Sequence, residues 1–199
     1  MALKVLNHGR WAALLLVPVL AGCATSSPSV DVTRFHGNAV AQRGSITVVP
    51  ADPAAAASLE FRTVAAAVGA ALTRAGFSVG EGAAGDYEAV VTLGRETYQP
   101  EERRSPVNVG VGGSTGSFGS GVGVGIGIDL SGKPKPVVAT RMRVQLRRTG
   151  DQAVFWEGRA EMAVKSTSPE AQPAAAASRL ADALFRDFPG RSGETITVR

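Results

Sequence analysis

This chain of 199 residues is short of the residue types that most often carry chemistry. It has one cysteine, two histidines and few aromatics, 6% of all residues. One cysteine excludes an intramolecular disulfide, so the fold must be held by its core. With His8 in the first residues and His36 the only other histidine, no mature domain could build a metal site on two histidines. A Ser-His-Asp or Cys-His arrangement could draw only on His36. So few aromatics argue against a stacking platform for bases or sugars. No apolar run reaches the about 20 residues that a membrane-spanning helix requires.

The single cysteine is well placed. Lys4 and Arg10 supply a positive start, the stretch from Trp11 to Val19 is apolar, and Leu20-Ala21-Gly22-Cys23 follows. This three-part order is that of a secretory leader. Its last four residues look like the lipobox of a bacterial lipoprotein. On that reading cleavage follows Gly22, residues 1–22 leave as signal peptide, and the Cys23 thiol carries diacylglycerol. The covalent lipid would be the only prosthetic group. Two or more acyl chains give stable membrane anchoring where one does not. Ala24 stands where an aspartate would signal inner-membrane retention, so the expected address is the periplasmic face of the outer membrane. Losing Lys4 and Arg10 lowers the formal charge from +4 to +2, too little to suggest a nucleic-acid partner.

The remainder reads as a lipidated tether, 23–43, followed by one periplasmic domain, 44–199. Val30 to Phe35 is a possible first strand and Ser45 to Val49 a clear one, ended by Pro50. A helix is expected from Ala54 to Ala75, with Phe61, Val64, Val68 and Leu72 on one stripe and Gly76 after its end. A short strand at Phe77 to Val79 and a long one from Asp86 to Tyr98 come next. Val138, Thr140, Met142, Val144 and Leu146 alternate with polar residues, as do Val154, Trp156, Gly158, Ala160, Met162 and Val164. Both apolar sets are even-numbered, so paired residues must sum to an even number for both to face one core. A loop at 149–151, pairing Arg148 with Gln152, satisfies this. A second helix starts near Ser168-Pro169-Glu170, buries Leu180, Leu184, Phe185 and Phe188, and stops at Pro189-Gly190. Thr195 to Val198 is a short terminal strand. The expected architecture is α+β: a two-layer domain, its mixed or antiparallel sheet carrying two helices on one face and a glycine-rich hairpin.

Several pieces in this order carry a family resemblance: Val30-Asp31-Val32, Ala75-Gly76-Phe77, Asp86 opening a long strand, a glycine-rich middle, Val154-Phe155-Trp156-Glu157-Gly158-Arg159-Ala160, and Phe185-Arg186-Asp187-Phe188-Pro189-Gly190. Together, over residues 30–190, they resemble the bacterial lipoproteins of domain-of-unknown-function family 4136. The first strand departs from that family, with Ile46-Thr47-Val48-Val49 in place of an aromatic-rich run. The resemblance implies a lipid-anchored envelope domain and no catalytic residues.

Other motifs are weaker. Residues 80–85 spell G-x-G-x-x-G, but a strand rather than a helix is expected next, which a dinucleotide site does not tolerate. Residues 127–133 fit the start of a P-loop, yet Pro134 stands where a magnesium-binding hydroxyl belongs. Arg141, Arg143 and Arg147 share a strand face, and the expected register places Glu157 and Glu161 close enough to neutralise them. The segment 107–128 alternates branched aliphatics with glycine. Its Val122, Val124, Ile126 and Ile128 are the candidate contacts for an envelope protein partner or a second copy. The expected role is therefore a non-enzymatic binding or assembly module. The alternatives are an accessory lipoprotein of an envelope transport complex and a hydrolase of cell-wall or lipid substrates.

Overall fold

A computed structural model describes residues 27–37, 43–80, 85–100 and 134–199, and the backbone of 107–116 and 119–128. In chain order the elements are β1 (Val30–His36), β2 (Ser45–Pro50), α1 (Leu59–Arg74), β3 (Ser78–Val79), β4 (Tyr87–Tyr98), β5 (Val107–Gly116), β6 (Gly119–Ile128), β7 (Val137–Arg148), β8 (Val154–Lys165), α2 (Pro173–Phe185) and β9 (Thr195–Val198). Seven strands make one open mixed sheet in the order β3-β2-β4-β7-β8-β1-β9, while β5 and β6 form a separate two-stranded sheet. The domain is α+β.

The even-numbered residues of β7 and β8 do face the core. Met142, Val144, Leu146, Trp156, Ala160 and Met162 are buried, as are Val30 and Val32 of β1 and Ala89 and Val91 of β4. The helices cover this side and pack on each other, with Val64, Val68 and Leu72 of α1 and Leu180 and Leu184 of α2 inside. Thr140 shares this face, and its buried hydroxyl lacks a hydrogen-bond partner among the described residues.

The possible strand at Val30 to Phe35 forms as β1, which pairs along its length with β8 and also with β9. Four expectations change. First, the second helix ends at Phe185 rather than at Pro189-Gly190. Second, α1 begins at Leu59 rather than Ala54. Asp52 caps a short 3-10 turn, Pro53–Ala55, and the Ser58 hydroxyl then accepts from the Phe61 amide as the helix cap. An oxygen-bearing side chain at that position satisfies an amide the helix itself leaves free. Third, Pro169–Ala171 is likewise a separate 3-10 turn before α2. Fourth, the β7–β8 register differs from the expected one.

Gln152 takes a left-handed conformation (φ 58°), and the Arg148 amide donates to the Ala153 carbonyl. Arg147 then lies opposite Val154, but Leu146 lies opposite Trp156, so Phe155 is an extra residue at a bulge. Such a bulge shifts pairing by one residue and bends the strand. It restores the even sum, and so the common apolar face, two residues away from the register predicted from the loop. Arg141 now opposes Glu161, and Arg143 opposes Arg159.

Candidate functional site

Four of the pieces that carry the family resemblance, those around Phe77, the start of β4, Trp156 and Phe185 to Gly190, meet at one end of the sheet. Trp156 of β8 stacks on Phe185, the last residue of α2, with ring centroids 5.2 Å apart, and lies 5.3 Å from Phe188. Phe188 meets Phe77 edge-on at 5.6 Å, Phe77 meets Tyr87, and Tyr87 meets Phe155. The Trp156 indole donates to the Pro189 carbonyl at 3.0 Å. Gly158 leaves the room this needs: a Cβ there would lie 2.3 Å from the Trp156 ring and 2.7 Å from Leu184. The tryptophan and glycine of one strand are therefore a single packing device.

Arg34 closes the same end. It follows Val30 and Val32 on the buried face of β1 and is 3% exposed. Its guanidinium donates to the carbonyls of Ala183, Leu184 and Arg186 at 2.9–3.0 Å. These carbonyls end α2, where the helix leaves acceptors unmatched and its dipole favours a cation. Burial pushes the Arg34 pKa down, and nearby Asp187 opposes that. The chain then turns through left-handed Asp187 (φ 55°) and Gly190 (φ 78°). A Cβ on Gly190 would lie 2.6 Å from the Arg34 side chain. His36 sits beside this turn with Nε2 3.0 Å from the Gly190 carbonyl oxygen and Nδ1 2.9 Å from that of Gly37. The one histidine available for a catalytic arrangement is thus engaged with backbone.

The sheet face away from the helices carries charge. Glu157 accepts from Arg143 at 2.7 Å, from Gln145 at 2.9 Å and from Arg159 at 3.0 Å. Bonds from Arg143 above all, opposed by burial and helped by Gln145 and Arg159, hold its pKa down at about 2. This one carboxylate reconciles Arg143 with Arg159, which would otherwise repel across the strands. Arg141 pairs with Glu161 at 3.0 Å and Arg147 with Glu88 at 2.7 Å. Arg159 also lies over the Phe35 ring, 5.7 Å from its centroid. The arginine stripe is neutralised by the expected Glu157 and Glu161, although the register differs, and by Glu88 of β4 in addition.

The glycine motif at 80–85 lies partly outside the described residues, but it leads into β4. A Cβ on Gly85 would lie 2.8 Å from the Ser45 carbonyl oxygen, and Asp86 accepts from the Ser45 amide and hydroxyl, which lower its pKa. Here glycine serves close strand approach. After the P-loop-like stretch, β7 follows rather than a helix. Among the described residues no group of three or more His, Cys, Asp or Glu is placed to hold a metal ion.

Gly22 and Cys23 lie outside the described residues. On β6, Val122, Val124, Ile126 and Ile128 stand opposite Gly113, Val111, Val109 and Val107 of β5; their side chains lie outside the description. Each strand is ten residues long. A second feature escaped sequence reading. Pro50, Ala51, Ala55, Phe61, Val64, Val91 and Leu93 line a groove of about 240 Å³ at the start of α1, with Asp52 and Glu60 at its border.

A family model described as "Domain of unknown function (DUF4136)" matches residues 26–190. An uncharacterized protein of Zymomonas mobilis is 31% identical over 212 aligned positions, covering 85% of this chain and 80% of that protein. Among solved structures, a PDZ domain protein from Parabacteroides distasonis aligns with a TM-score of 0.47 at 8% identity, covering 85% of this chain and 39% of that one. A PelC dodecamer from Paraburkholderia phytofirmans aligns at 0.43 and 15%, covering 82% and 99%. These structural likenesses are distant.

Proposed function

The chain belongs to the DUF4136 family, and from that premise we propose that it is a lipid-anchored protein of the cell envelope whose domain binds or assembles with other proteins and catalyses no reaction. The observation that carries this reading is Leu20-Ala21-Gly22-Cys23 behind a charged and then apolar leader. A thioether on Cys23 would anchor the domain and remove the chain's only thiol from other chemistry.

The use of polar side chains in the domain supports the second half of the proposal. Arg34 caps a helix, Glu157 bridges two arginines, and His36 contacts two carbonyls. Each of these contacts has a structural task.

Metabolic labelling with a fatty-acid probe tests the anchor. The wild-type protein takes up label and floats with outer-membrane vesicles, and Cys23→Ser does neither. Labelling that persists in Cys23→Ser refutes the anchor. In-cell crosslinking followed by pull-down reads the partner, and a transporter subunit recovered there would instead favour the accessory-subunit role.

A further inference from the structure

β4 is longer than the strand beside it. Its pairing with β2 ends where Pro50 meets Val91, whereas its pairing with β7 continues to Tyr98 opposite Val137. Over 93–98 β4 therefore has a neighbour on one side only within the seven-stranded sheet. The backbone polarity of this stretch follows from its hydrogen bonds. The Val91 carbonyl accepts from the Ala51 amide on the β2 side, and the Asp86 carbonyl accepts from Thr149 on the β7 side. N–H and C=O groups alternate sides along a strand, so those of Leu93, Arg95 and Thr97 face the unpaired edge. A free row of donors and acceptors is a template for another strand. At Leu93 this edge meets the apolar groove formed with Phe61 and Val64.

We propose that this edge is a strand-acceptor site, filled by the glycine- and valine-rich segment 107–128 of a second copy of the chain. That segment carries no charged residue and alternates branched aliphatics with glycine over most of its length. Added to β4, one side of such a strand brings a branched side chain to the groove. The other side is glycine, which lies against the Glu96–Arg141 ion pair without burying it. Within one chain β5 and β6 pair with each other and stay apart from the main sheet, so the edge is left for a strand from outside. A two-stranded ribbon is only marginally stable alone, and joining a sheet relieves both deficits. The proposal rests on the assembly role above. Anchoring on one membrane raises the effective concentration of copies for one another.

The test uses full-length lipidated protein, in which an introduced cysteine is the only free thiol. Chains with Thr97→Cys are co-expressed with differently tagged chains carrying Val122→Cys, Val124→Cys or Ile126→Cys. A disulfide joining the two tags is expected for at least one pair. Thr97→Pro removes an edge amide without touching the β7 pairing, a position where proline is tolerated. It should weaken self-association at least tenfold in sedimentation, with an unchanged circular dichroism spectrum. No disulfide joining the two tags in any pair, or association unaffected by Thr97→Pro, would each overturn the proposal. Failure here leaves the anchor standing; if labelling of the wild type fails, the disulfide arm is repeated in Cys23→Ser, where the introduced cysteine is again the only thiol, and the Thr97→Pro arm reads association without any thiol.

Discussion

The two ends of the β-sheet differ in how completely their polar groups are matched. Where α2 finishes, Arg34 answers three carbonyls, the Trp156 indole answers a fourth, and five further aromatic rings close around that tryptophan and its neighbours. Where β4 overruns β2, a row of backbone donors and acceptors has no strand beside it in the seven-stranded sheet, and an apolar groove lies next to it. The first end uses its sequence to hold the fold. The second leaves hydrogen-bonding capacity that another chain can use. Four of the six pieces by which the chain resembles its family lie at the first end, where their side chains serve packing.

The comparison breaks most visibly at Trp156. Trp156→Ala should cost about 4 kcal/mol, within the range for emptying a large aromatic site, and should unfold much of the population in a denaturant titration. A loss below about 1 kcal/mol would mean that this end does not hold the fold. The face between the two ends offers a finer measure. Glu157→Gln should cost about 1 kcal/mol, since hydrogen bonds to charged groups exceed neutral ones but an accessible network is screened by solvent. The same carboxylate sets a pH dependence. Its folded pKa of about 2 lies below the ordinary 4.5, so its contribution is fully present above about pH 4.5 and fades as the pH falls toward 2. Denaturation midpoints across that window should drop more steeply for wild type than for Glu157→Gln; parallel curves would remove Glu157 from the account.

Much of the fold was legible because periodicity is a local property. The even-numbered apolar residues of β7 and β8, the stripe on α1 and the buried face of α2 all follow from spacing alone. The register was not legible, because it depends on the left-handed Gln152 and the bulge at Phe155, and glutamine does not signal that conformation as glycine would. Arg34 was hidden for a different reason. It lies on the possible first strand inside the stretch assigned to the tether, and its partners at the end of α2 are about 150 residues away. One clue was present, since Arg34 has the same parity as Val30 and Val32. The open edge of β4 was invisible too, because strand order is not written in any one segment.

Amide hydrogen exchange on dilute, monomeric protein tests the contrast between the two ends most directly. β8 is paired on both sides, by β7 and β1, so its amides near Trp156 should be among the slowest to exchange. In the second half of β4 the account predicts an alternation: fast exchange at Leu93, Arg95 and Thr97, and slow exchange at Gly94 and Glu96, whose amides face β7. Uniform protection from Leu93 through Thr97 in the monomer would contradict it, because the edge would then already be filled.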